Sequence, residues 1–280
     1  MRTRHNHQFG FTLVEMIVVM VITGIIGGMV AIFIKAPIQG YVDSSRRAAL
    51  TDIADTAVRR MARDVRTAVP NSIRTGLCGV PCVEYLPTKD GGRYRALQTA
   101  GGAGNVLDFG VADGSFDVIG SAINIATNDY IVIGSTESSG NPPYIQTNAG
   151  ILRLYTSFAG GLMTMNNTKL PVWAELSSQR FDVVDGAQQA VTYACEGTLI
   201  TRDASGNGQA KLVKHWKYGF NPGQIAPGGL TAILADKVSD CTIVYDVTSQ
   251  RLGLLAIQLT LTSGNESVSL YNEIHVNNVP

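Results

Sequence analysis

A single carboxylate, Glu15, stands four residues into an apolar run that extends from Phe11 to Ile34. A charge held at depth in hydrocarbon costs roughly 2.5–3.5 kcal/mol on insertion scales. Its presence there asks for a function. The other residues with chemical potential are few. Four cysteines, Cys78, Cys82, Cys195 and Cys241, allow three disulfide pairings. Asp203, Ser205 and Asn207 place side-chain oxygens at alternate positions, with Gly208 sixth, like the opening of a calcium loop. The twelfth position is Lys214, where a bidentate glutamate belongs, so a hairpin turn is favoured and only a weak calcium site is left as the alternative. Beyond residue 10 the histidines are His215 and His275, without His-x-x-x-His or His-Glu-x-x-His spacing. No Gly-x-Ser-x-Gly elbow occurs. The run Gly101-Gly102-Ala103-Gly104 reads as a turn, not a phosphate cradle.

The element that must position Glu15 is legible in the composition. Phe11 to Ile34 is 24 residues with one charge, enough to cross a bilayer about 30 Å thick at ~1.5 Å per residue. Arg2 and Arg4 precede it, which keeps that end cytoplasmic and sends the remainder outward. An ordinary signal peptide would carry a shorter core with a small-residue cut after it. Gly24, Gly27 and Gly28 lower helix propensity but permit close helix packing. Pro37 is expected to kink the helix just beyond the span.

Helical signal resumes at about residue 43 and runs to Val69, where Pro70 stops it. Ile53, Ala57, Met61, Val65 and Ala68 form an apolar stripe, while Arg59, Arg60, Arg63, Asp64 and Arg66 mostly take the other faces. The arginines read first as a solvated face and second as a contact for acidic surfaces. After Pro70 the pattern changes to short strands: 106–109, 130–133 and 151–155, a hairpin of 191–194 with 198–201 about Glu196-Gly197, and a second hairpin about 263–266. In the latter, Leu255, Ile257, Leu259 and Leu261, then Val268, Leu270, Ile274 and Val276, alternate with polar residues, predicting one buried face.

Charged residues make up 16% of the chain and the formal charge is 0; without Arg2 and Arg4 it becomes −2. That is no footprint for nucleic acid. The favoured cysteine pairing is Cys78 with Cys82 and Cys195 with Cys241, the latter tying adjacent strands. A zinc site is the alternative, though the spacings lack paired CxxC knuckles.

The residues Gly10-Phe11-Thr12-Leu13-Val14-Glu15 resemble the prepilin peptidase site of type IV pilins and type II secretion pseudopilins. The resemblance implies cleavage between Gly10 and Phe11, N-methylation of Phe11, and pairing of Glu15 with the α-amine of a neighbouring subunit. It implies an α+β fold: a cleaved leader 1–10, a long helix 11–69 (membrane anchor 11–34, amphipathic half 43–69), and an antiparallel β-rich head 70–280. Three segments (68–74, 238–245 and 275–280) are similar to the MshO family of MSHA pilus biogenesis minor pilins, related to J-type minor pseudopilins. The implied protein is a non-enzymatic minor pilin of the bacterial inner membrane, with its head in the periplasm or at the pilus tip. It would help initiate pilus assembly, with prepilin peptidase and other minor and major pilins as partners. A type II secretion pseudopilin is the alternative, and a membrane-anchored periplasmic enzyme the alternative of another class.

Overall fold

The computed structural model describes residues 10–76, 78–136, 139–175, 178–223, 228–246 and 252–277. Arg2, Arg4, His5, His7 and the end of the 275–280 segment lie outside them. Two compact units divide the chain, 1–49 and 50–280.

One continuous helix, α1 (Leu13–Val65), runs through both units. It includes Pro37, so residues 35–42 do not interrupt it. The first unit exposes every residue of the apolar run. That segment is long and apolar enough to cross a membrane, with a mean hydropathy of 2.8 in its most apolar window.

In the second unit the amphipathic end of α1 buries Leu50, Ala54, Ala57, Val58, Met61, Ala62 and Val65. These fall at helical spacing on one face. Met61 and Val65 are fully buried, each worth roughly 1.5–3 kcal/mol. Ile53, expected in this stripe, is 37% exposed. The helix also ends earlier than Pro70 predicts. Past Val65 the backbone turns to pair with residues 86–88: Thr88 N–H donates to Thr67 O (2.8 Å) and Val69 N–H to Leu86 O (2.8 Å). Tertiary pairing thus takes the last turn from the helix.

Among the described residues thirteen strands follow: β1 (Arg74–Thr75), β2 (Cys82–Tyr85), β3 (Thr88–Tyr94), β4 (Ser115–Ile119), β5 (Tyr130–Ile133), β6 (Leu152–Ala159), β7 (Leu162–Met165), β8 (Arg180–Val184), β9 (Val191–Glu196), β10 (Ala210–Trp216), β11 (Leu230–Asp246), β12 (Leu252–Ser263) and β13 (Glu266–Asn277). They form a seven-stranded sheet, β1-β2-β9-β10-β11-β12-β13, and a closed barrel, β3-β4-β7-β6-β5-β8. Every neighbouring pair is antiparallel. The architecture is α+β, with the end of α1 packed on the sheet in one core, and a second core inside the barrel around Phe116, Ile131, Phe181 and Val183.

A buried polar cluster joins the two layers. Arg74 on β1 pairs with Glu84 on β2 (Nε–Oε2 2.9 Å) and stacks over the Tyr144 ring, 3.6 Å from its centroid. Its remaining N–H groups donate to the carbonyls of Pro222 and Asn221. Tyr144 in turn donates to Ser72 O (2.7 Å).

The last hairpin is as its alternation predicts, with Leu255, Ile257, Leu259 and Leu261 buried. Its turn is Gly264-Asn265, φ +59° and +70°, the two positive values that a type I′ turn requires. Two other expectations fail. Residues 106–109 are not a strand, although Leu107 and Phe109 are buried in the barrel core. Nor do residues 198–201 pair back on β9. Ile200 is 86% exposed with φ +67°, and its N–H donates to Ser239 O. β9 pairs instead with β2 and with β10, the latter reached through the long connection 197–209.

Candidate processing and assembly site

The beginning of α1 is set by its own residues. Thr12 precedes the first helical residue, and its Oγ1 accepts the Glu15 N–H (3.2 Å). Glu15 Oε2 accepts the Thr12 N–H (3.1 Å) and the Thr12 hydroxyl (3.1 Å). This reciprocal arrangement is a capping box, which satisfies donors that the first helical turn leaves orphaned. The Thr-x-x-Glu spacing is the sequence signal for this cap, and a reading of Glu15 by its charge and its pairing role does not reveal it. Its carboxylate also lies in the first turn, at the positive end of the helix dipole.

The cap uses one carboxylate oxygen. Among the described residues, Glu15 Oε1 accepts no hydrogen bond, and the side chain is exposed. It is therefore open to a cation supplied from outside the chain. Phe11 is 84% exposed. A Cβ placed at Gly10 would meet nothing within 4 Å. Nothing among the described residues thus requires glycine at position 10. Gly24, Gly27 and Gly28 are equally open along the helix.

The structure bonds Cys78 to Cys82 and Cys195 to Cys241. Cys195 lies on β9 and Cys241 on β11, so the strands they tie are not adjacent: β10 lies between them. β10 begins at Ala210, opposite Val238, and its register on β11 shifts at that end. β11 runs on beyond that point, and Cys241 comes within 6.4 Å (Cα–Cα) of Cys195.

Asp203, Ser205 and Asn207 meet in a closed turn. Asp203 Oδ1 accepts the N–H groups of Ser205 and Asn207 (both 2.8 Å), and Oδ2 accepts the Asn207 amide (3.1 Å). These bonds hold the carboxyl below the usual aspartate range, led by the backbone bond from Asn207. Asn207 Oδ1 is itself an acceptor for Ser263 Oγ and Gly264 N–H. The Asp203 and Asn207 oxygens thus serve bonds that hold the turn itself, as a hairpin turn predicts. His215 is buried on β10 and His275 exposed on β13, with β11 and β12 between them in the sheet. No group of three or more His, Cys, Asp or Glu side chains among the described residues could hold a metal ion.

Residues 5–31 match the family model described as the prokaryotic N-terminal methylation motif. The chain thus carries a type IV pilin-like N-terminus, on a helix that continues into an antiparallel β-rich unit. No curated protein and no solved structure matches it.

Proposed function

We propose that this chain is a minor pilin, made as a precursor, cut by prepilin peptidase between Gly10 and Phe11, and N-methylated on Phe11. The observation that carries the reading is the match to the methylation motif over residues 5–31, a stretch that includes Gly10, Phe11 and Glu15. Physical arguments support each role. A glycine that the described residues do not require is explained by an enzyme that must reach the backbone there. Cleavage creates an ammonium at Phe11, beside the positive end of the helix dipole and in apolar surroundings. That amine needs a counter-charge, and the open Oε1 of a neighbour's Glu15 supplies one. Because one oxygen caps its own helix while the other faces outward, the same carboxylate can fix its helix start and set the stagger between subunits.

In this reading residues 11–34 anchor the protein in the bacterial inner membrane and the β-rich unit occupies the periplasm. The protein is structural and joins other pilins in initiating an MSHA-like type IV pilus. The MSHA assignment rests on the three segments at 68–74, 238–245 and 275–280. Intact-mass analysis of the membrane-extracted protein tests the reading. The expected species begins at N-methylated Phe11 and disappears in cells lacking the peptidase. A mature N-terminus at any other residue would refute it.

A further inference from the structure

β13 is one of the two edges of the seven-stranded sheet among the described residues, the other being the two-residue β1. It pairs with β12 in unbroken register from Ser263↔Glu266 to Leu252↔Asn277. Half of its backbone N–H and C=O groups therefore point away from the sheet. Exposed edges are ordinarily blunted by short length, bulges, proline or lysine. β13 has 12 residues, with no proline, no lysine and no register shift. An edge left this open in a soluble unit is suited to receiving another strand.

A second observation specifies what that strand carries. A groove of about 590 Å³ lies between α1 and the middle of β13, where Leu270, Tyr271 and Asn272 face Arg59, Arg63 and Arg66. Arg59 is held by Asp55 on the same wall (Nε–Oδ2 2.7 Å). Arg63 and Arg66 are exposed and form no ion pair among the described residues. Glu273, the nearest acid on β13, is exposed and takes the Tyr271 hydroxyl (2.6 Å), on the face opposite buried Ile274. The helix side of the groove is thus cationic. Arg59 and Arg63 lie about 6 Å apart along the helix, near the ~6.8 Å between same-face residues of a strand, and Arg66 follows just past the helix end.

We infer that the β13 edge and the arginines of α1 together form a docking site for an extended acidic segment of a neighbouring subunit. The segment adds as an antiparallel or parallel strand on β13. Its backbone supplies the missing ladder partners, and carboxylates at alternate positions point into the groove to meet Arg63 and Arg66. The inference deepens the assembly reading by naming a subunit contact on the 50–280 unit. It is measured without cleavage or filament formation, so its failure leaves that reading standing.

The test uses the full chain in detergent and a labelled peptide of roughly nine residues in which glutamate alternates with valine. Saturable binding is expected by fluorescence anisotropy, weakening as salt rises from about 50 to 500 mM. Two changes should each reduce affinity at least about tenfold: Arg63→Gln with Arg66→Gln in the protein, and N-methylation of alternate peptide backbone nitrogens, which removes ladder donors. Both arginines are exposed, and the peptide change leaves the protein untouched, so misfolding cannot imitate the result. Equal binding of the N-methylated peptide, or of a peptide with lysine in place of glutamate, would overturn the proposal. So would self-association that excludes the peptide and survives Arg63→Gln, which would assign the edge to a second copy.

Discussion

Glu15 Oε2 lies 3.1 Å from both the backbone nitrogen and the hydroxyl of Thr12, while Thr12 Oγ1 returns a bond to the Glu15 N–H. Each residue holds the other at the start of α1. The carboxylate is thereby fixed in direction before any partner arrives, with its second oxygen left outside the cap. Thr12→Ala should remove the hydroxyl half of this arrangement and weaken the helix start by roughly 0.5–2 kcal/mol. Hydrogen exchange at the amides of residues 13–16 is the measurement. Faster exchange there, with exchange at residues 50–65 unchanged, is the expected result.

The disulfides differ in the chain they close. Cys195 and Cys241 are separated by 46 residues and Cys78 and Cys82 by 4. In the chain-entropy model, loops of these sizes correspond to about 4 and about 2 kcal/mol. Replacing Cys195 and Cys241 with serine should therefore lower the denaturation midpoint more than replacing Cys78 and Cys82. Urea melts of the two double variants decide it, and the reverse order would contradict the assignment.

Arg74 and Glu84 are both buried, at 8% and 2% exposure. Glu84 also accepts the Tyr218 hydroxyl (3.1 Å). Arg74→Met would remove the cation from this buried pair, a loss of about 3–5 kcal/mol when one member is taken away. The double variant Arg74→Met with Glu84→Gln should recover much of the loss. Equilibrium unfolding of the single and double variants checks both statements.

Asp182 on β8 carries the clearest pH dependence. Burial pushes its carboxyl up to about 6, against a smaller opposing pull from Arg180. Between about pH 4 and 6 the folded state therefore holds a proton that the unfolded chain has released. Stability is undiminished below about pH 4 and falls as pH rises through about 6. Asp182→Asn should raise stability by on the order of 2 kcal/mol at neutral pH and change little near pH 3.5. Thermal melts at the two pH values check the sign.

The parts of the fold legible in the sequence are those with one wet face. β12 and β13 alternate because only one side is buried, and α1 shows its stripe for the same reason. The barrel was legible only in β5 and β6. β3 reads Thr-Lys-Asp-Gly-Gly-Arg-Tyr, a poor strand by propensity. It is a strand because its glycines admit β8: a Cβ at Gly91 would lie 3.0 Å from Phe181 O, and one at Gly92 2.9 Å from the Phe181 ring. Such long-range fit leaves no local periodicity. Leu107 and Phe109 misled for the opposite reason, being strand formers that are buried without pairing. At the candidate site the charge of Glu15 was legible as an anomaly. Its division between a cap and an open oxygen was not, because that depends on side-chain direction.

In the proposed assembly Glu15 neutralises a neighbour's new amine. Glu15→Gln isolates that role. Glutamine supports a capping box, so the helix start should persist. Cleavage should also persist, since the bond cut is Gly10–Phe11, and removing a charge from the apolar run lowers the insertion cost. The decisive measurement is co-purification of neighbouring pilin subunits with the processed, membrane-resident variant. The account predicts a mature chain beginning at Phe11 that no longer captures its neighbours. Capture equal to that of the unaltered chain would contradict it and leave Glu15 as a helix cap alone.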